Sequence, residues 1–270
     1  MSPDSEGVGC RACGDLPPES VLFGHSEVMQ EVRRRVLRIC PTTVSVLLQG
    51  EVGVGKSTLS RFIHSSSSAE ESPYVSVNCS SISTQATEPQ SFMPPSQGLL
   101  EVALAQANRG QTTSTAGTLF LDQVSELTPQ LQQRLLHTLA EYDEATDPDR
   151  QQVGERVRII CASTRNLRNQ LNVGSFRREL YHRLAVLTID VPPLRHRPED
   201  LPAISDYLRS RYSAQFGVAN EPFSSDLRAR MLAHQWPGNI RELETFVCRY
   251  VLLGRGELCG AGIHWNVSRI

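Results

Sequence analysis

From Gly50 to Ser57 the chain reads Gly-Glu-Val-Gly-Val-Gly-Lys-Ser, with Thr58 next. This is the spacing G-x-x-x-x-G-K-S, in which loop N–H groups converge on phosphate oxygens and the glycines let the backbone come close. Gly50, Glu51, Val52, Gly53, Val54 and Gly55 form that loop. Lys56 reaches the β- and γ-phosphates, Ser57 takes a Mg²⁺ ion, and Thr58 completes the set at the helix start. The N-terminus of that helix adds positive potential for the anion. The implied ligands are ATP and Mg²⁺. Further on, Asp122 ends the apolar run Thr118-Leu-Phe-Leu-Asp122. P-loop proteins place there the acid that holds Mg²⁺. A strand-end aspartate can also cap the next helix.

Such chemistry needs a strand to deliver the loop and a helix to receive it. Residues 44–49 are a short, mostly apolar run that reads as a buried strand, and residues 56–64 read as a helix. Further strands are expected at 74–77, 118–122, 157–162 and 186–191. Helices are expected at 26–40, where Val28, Val32, Val36 and Ile39 share a face, and at 129–142, where Leu131, Leu135, Leu136 and Leu139 do. Strands alternating with helices predict an α/β fold with a parallel sheet flanked by helices. After about Pro198 the pattern is helical only, at 199–216, 224–234 and 239–253, which predicts a small helical lid.

Bulk properties narrow the class. The chain has 270 residues, 39% of them hydrophobic, and a net charge of -2. That suffices for one α/β core with a small second module, without the basic footprint of a free-standing DNA binder. No apolar run approaches the ~20 residues of a membrane span, and the polar N-terminus is no secretory signal, so a cytoplasmic location with no membrane partner is expected. The seven cysteines are irregularly spaced. Cys10 and Cys13 form a lone CxxC that lacks the further ligands a zinc site needs and reads as two free thiols in a tail. Cys40, Cys79, Cys161 and Cys248 read as small core side chains.

Six segments stand in one order: Val46-Leu-Leu-Gln-Gly-Glu51, Val77-Asn-Cys79, Gly117-Thr-Leu-Phe-Leu-Asp122, Val157-Arg-Ile-Ile160, Pro192-Pro-Leu-Arg195 and Trp236-Pro-Gly-Asn-Ile-Arg-Glu-Leu243. Together, over residues 20 to 254, they resemble the central AAA+ domain of sigma-54-dependent transcriptional activators, the bacterial enhancer-binding proteins. The resemblance implies a P-loop AAA+ core at 20–195 and a helical lid at 196–254, between tails at 1–19 and 255–270. It implies a ring-forming ATPase that remodels the sigma-54 RNA polymerase. It also implies two trans-acting arginines, Arg177 and Arg183, which the residues alone leave as solvated helix charges. Arg241 matches the nucleotide-sensing lid arginine. Asn78 matches the residue that restrains the catalytic glutamate.

Three features depart from the family pattern. The Asp-Glu pair reads Asp122-Gln123, and a glutamine cannot accept a proton from water; losing a general base costs roughly 10²–10⁴ in rate. Thr164 replaces an asparagine after the fourth strand. Counting back from Gly117, the polymerase-contacting loop falls on residues 98–103, where Leu100 and Glu101 replace its aromatic and threonine. The expected function is an ATP-binding regulator of transcription with weakened hydrolysis and a degenerate sigma-54 contact. A homo-oligomeric ring is expected, with no DNA-binding domain of its own expected in this chain. The alternatives are a pseudo-ATPase subunit of a mixed ring with related AAA+ subunits, and an active remodeller of another target in which Gln123 orients water.

Overall fold

The computed structural model describes residues 16–67, 72–81, 117–145 and 157–260. The Cys10/Cys13 pair and the 98–103 segment lie outside them. The chain divides into two compact units.

The first unit, which takes in 31–51 and 55–191, is built on a sheet of five parallel strands in the order β2-β3-β4-β1-β5. The strands are β1 (Val46–Gln49), β2 (Tyr74–Asn78), β3 (Thr118–Asp122), β4 (Arg158–Ser163) and β5 (Leu187–Asp190). The central strands carry continuous apolar runs, at residues 46–48, 119–121 and 159–162, each flanked by polar residues, because a parallel sheet is covered on both faces. Strand alternation sends Leu47, Leu119, Leu121 and Cys161 to one face. There they pack with Leu131, Leu135 and Leu139 of α4 (Pro129–Ala145), Leu167 of α5 (Leu167–Asn172), and Leu180 and Leu184 of α6 (Arg178–Leu184). Each leucine fully buried in this way contributes about 1.5–3 kcal/mol. On α3 (Lys56–Ser65), Leu59, Phe62 and Ile63 are buried. Arg158, 2% exposed, donates to the carbonyls of Ile39 and Cys40 at 2.8 and 3.1 Å. It thereby satisfies the C-terminal end of α2 (Glu27–Ile39).

The second unit comprises 17–30, 52–54 and 192–270. Its helices are α1 (Glu19–Leu22), α7 (Leu201–Phe216), α8 (Ser225–Ala233) and α9 (Asn239–Gly260). Trp236 is at the centre, 1% exposed, with Leu201, Ile204, Leu208, Phe223, Leu243 and Phe246 around it. Its indole N–H finds the Met231 carbonyl at 2.9 Å. Ser224 caps α8 by accepting from Leu227 N, and Gly217 ends α7 in the left-handed region. Asp200 is fully buried. Its carboxylate accepts from His25 N, Ser26 N and Ser26 Oγ at 2.6–2.8 Å, holding the chain where it enters α2.

Several elements differ from expectation in extent. The helix expected at 199–216 starts at Leu201 and follows two 3₁₀ turns, Leu194–His196 and Pro198–Asp200. Pro198 and Pro202 lack the N–H that a continuous helix would use. The last helix runs to Gly260, beyond the expected 253. Helix α5 is too short to show an apolar period and was not foreseen.

Candidate functional site

The parallel strands deliver the chemical residues at their carboxyl ends, where α/β sheets place ligands. β1 ends at Gln49, and Gly50 N donates to the Ser163 carbonyl of β4 at 3.2 Å, which fixes where the loop departs. Gly55 has φ 102 and precedes the first residue of α3. That backbone is open to glycine and strained for other residues.

Lys56 is the most informative side chain. It is 7% exposed, and its ammonium donates to the carbonyls of Gly50 and Glu51, each at 2.8 Å. The lysine is folded across the loop it serves. Burial lowers its pKa, and the Asp122 charge opposes that shift. A phosphate group arriving in the loop offers a better acceptor than two neutral carbonyls, so the ammonium is poised to exchange one for the other.

Ser57 is exposed and Thr58 half-buried in the first turn of α3. Asp122 ends β3, half-buried, paired in register with Asn78 of β2. A hard cation bound through one serine oxygen, one carboxylate, phosphate oxygens and water is the usual magnesium arrangement. Ser57 and Asp122 fit that donor set. Among the described residues no group of three or more His, Cys, Asp or Glu is placed to hold a metal by itself.

Gln123 follows with φ 57, a left-handed backbone, and its carbonyl accepts from Glu126 N in the 3₁₀ turn Val124–Glu126. Asn78 uses its side-chain oxygen locally, accepting from Ser80 N and Ser80 Oγ at 3.0 and 2.8 Å. Thr164 is half-buried just past β4. Arg165 beside it pairs with Glu126 at 3.4 Å, an exposed contact worth little by itself.

The two arginines expected to act in trans both lean on α4. Arg177 is exposed and donates from Nη2 to Gln133 Oε1 at 3.0 Å. Arg183, half-buried, donates from Nη2 to the Leu139 carbonyl at 2.8 Å. In the second unit, Arg241 is exposed on the first turn of α9 beside Gly53. The described structure thus gathers Gly50, Glu51, Lys56, Ser57, Asn78, Asp122, Gln123 and Thr164 at one end of the sheet. Arg177 and Arg183 stand on α6, and Val52, Gly53, Val54 and Arg241 share the second unit.

One residue of this region escaped the sequence reading. Gln132, 1% exposed, donates to the carbonyls of Leu127 and Ser175 at 2.9 and 3.0 Å and accepts from Arg177 N at 2.8 Å. It joins the turn after Gln123 to the segment carrying Arg177. A glutamine amid helix-forming residues gives no signal of this, since its partners lie up to 45 positions away.

The comparisons agree with this architecture. The Sigma-54 interaction domain family matches residues 22–190, and the AAA+ ATPase lid domain family matches residues 195–261. The transcriptional regulatory protein FlbD of Caulobacter vibrioides is 32% identical over 256 residues, 95% of this chain and 56% of its own. ZraR of Escherichia coli K12 is 34% identical over 236 residues, 87% of this chain and 53% of its own. The chain spans about half the length of such relatives. The crystal structure of NtrX from Brucella abortus in complex with ATP superposes with a TM-score of 0.70 at 30% identity, covering 87% of this chain and 51% of NtrX. Among the described residues no helix is long and apolar enough to cross a membrane. A P-loop on a parallel sheet and a matching helical lid place this chain in the Sigma-54 interaction domain family of AAA+ proteins.

Proposed function

We propose that this chain is the ATP-binding AAA+ module of a sigma-54-dependent type of transcription regulator, with hydrolysis slowed at one residue. The observation that carries the reading is Lys56 folded onto the Gly50 and Glu51 carbonyls, in a loop running from β1 into α3, with Asp122 at the end of β3. In this reading the loop N–H groups and Lys56 bind the β- and γ-phosphates, and Ser57 and Asp122 hold Mg²⁺. NtrX, which shares the architecture, has been crystallised with ATP. Asn78 and Thr164 flank the γ-phosphate end, and Arg241 senses the nucleotide from the lid.

Gln123 occupies the place of the general base. Its amide can hold a water by hydrogen bonds but cannot take its proton, which supports turnover lowered by roughly 10²–10⁴. The chain assembles as a ring in which Arg177 and Arg183 serve a neighbouring subunit's nucleotide site. Leu100 and Glu101 support a weakened sigma-54 contact.

The test is a titration with fluorescent ATP and Mg²⁺ beside a phosphate-release assay, on the wild type, Lys56→Ala and Gln123→Glu. Binding is expected in the wild type and lost in Lys56→Ala, with release rising in Gln123→Glu. A wild type that binds no ATP·Mg²⁺ at millimolar concentration would sink the reading.

A second reading is favoured by the exposed Arg177: a subunit that completes a related subunit's site in a mixed ring. It predicts stimulation of a competent relative's ATPase, abolished by Arg177→Ala. Equal stimulation by wild type and Arg177→Ala would remove it.

A further inference from the structure

Consecutive carbonyls of the phosphate loop each have a donor. Those of Gly50 and Glu51 take Lys56 Nζ, as described, and that of Gly55 takes Leu59 N at 2.9 Å within the helix. The middle three are held by residues far along the chain, and all of these partners lie in the second unit. Val52 O accepts from Asn239 Nδ2 at 2.9 Å. Gly53 O accepts from Ile240 N at 2.9 Å. Val54 O accepts from Arg197 Nη2 at 3.1 Å.

A loop binds anions through its N–H groups only when its carbonyls are turned elsewhere, because a carbonyl oxygen aimed at a phosphate repels it. Here the carbonyls are committed, but in two different ways. Lys56 must leave Gly50 and Glu51 when its ammonium turns to phosphate. The bonds to Val52, Gly53 and Val54 ask nothing of the ligand and can persist. They are the anchors still available to the loop once Lys56 has moved.

The side chains that supply them carry costs that simple packing does not explain. Asn239 is fully buried with φ 53, a left-handed backbone that asparagine tolerates better than most residues. Its Oδ1 accepts from Leu194 N at 2.8 Å while its Nδ2 serves Val52. Arg197 is 1% exposed, and burying a guanidinium is expensive compared with an apolar side chain of similar volume. Burial lowers its pKa to about 10, with Asp200 opposing, so it remains a charged donor at neutral pH.

We propose that Asn239 and Arg197 are positioning residues for the triphosphate, fixing the Val52 and Val54 carbonyls outward so that the loop N–H groups converge on the anion before it arrives. The proposal rests on the ATP-binding reading and names residues in that site which the motif itself does not contain. Preorganisation of this kind raises affinity by removing an ordering cost from the binding step.

The experiment is fluorescent-ATP titration of the full chain with Mg²⁺, paired with thermal melting without nucleotide. The variants are Asn239→Asp, Asn239→Gly, Arg197→Met and Arg197→Lys. Aspartate keeps the acceptor for Leu194 N and tolerates the left-handed backbone, but has no donor for Val52. Glycine also accepts that backbone and adds no charge, so it separates lost positioning from repulsion of the phosphates. Both Asn239 variants are expected to weaken ATP binding at least tenfold, and Asn239→Gly, which also leaves Leu194 N without its acceptor, is expected to melt below Asn239→Asp without binding ATP correspondingly more weakly. Arg197→Lys is expected to bind ATP more tightly than Arg197→Met, since it keeps a charged donor. ATP affinities within twofold of wild type in both Asn239 variants would overturn the proposal. So would a fall in nucleotide-free melting that tracks the loss of affinity, which would make these residues part of the unit's core alone. A wild type that binds no better than Lys56→Ala would instead overturn the ATP-binding reading, and this proposal with it.

Discussion

Asn78 and Asp122 stand opposite each other at the carboxyl ends of β2 and β3, the last pair of a register that begins at Tyr74 and Thr118. Gln123 follows directly with its left-handed backbone, so the position proposed for the general base is set by the end of one strand and the start of one tight turn. Gln123→Glu changes an amide to a carboxylate with no change in side-chain length. Phosphate release is expected to rise by at least roughly 10² over the wild type, with Lys56→Ala at background. Wild-type release already well above Lys56→Ala would show that Gln123 orients water effectively.

Gly53 has φ 77, and a Cβ placed there would overlap the Gly238 carbonyl oxygen and press on Arg241. Gly53→Ala therefore combines a strained backbone with a clash against main chain, and a cost of about 1–3 kcal/mol is expected. Melting without nucleotide and ATP titration should both register it. An alanine variant with wild-type values in both would show that the loop and the Gly238 turn can part freely.

His64 is buried with its Nδ1 2.9 Å from Thr118 Oγ1. Burial lowers its pKa, the Arg158 charge lowers it further, and a backbone hydrogen bond at Ser72 raises it. In the unfolded chain the imidazole takes a proton near pH 6.5, and in the folded chain only at lower pH. Unfolding thus binds a proton in that window, so stability is whole above about pH 6.5 and falls as pH drops through the lowered folded pKa. Melting temperature is expected to fall between neutral and mildly acid pH, less steeply in His64→Gln. Equal slopes would assign the acid sensitivity to other groups.

Gln132 satisfies two carbonyls and one N–H at once. Gln132→Leu keeps the volume and leaves those groups without a partner, for which about 2–4 kcal/mol is expected. Amide exchange at Arg177 should accelerate selectively, with β1 and β3 unaffected. Unchanged exchange at Arg177 would show that Gln133 and the packing of Phe176 suffice to hold the segment.

The strands, the loop and the helical lid were legible in the chain because each is a local pattern. Apolar runs of four to six residues read as buried strands, and the spacing from Gly50 to Ser57 encodes a phosphate loop without reference to anything distant. Asp122 was found in the same way, as an acid closing an apolar strand. Element ends were less legible where prolines broke a helix into turns, as at Pro198, or where a helix ran on past its apolar period to Gly260. What only the tertiary structure decided were the polar contacts between distant parts of the sequence. Lys56 returns to its own loop, Gln132 links Leu127 to Ser175, and Asn239 reaches Val52 across 187 positions. The reason is physical: a buried hydrogen bond depends on where two atoms meet in space, and neither an asparagine nor a glutamine carries in its local pattern the address of its partner.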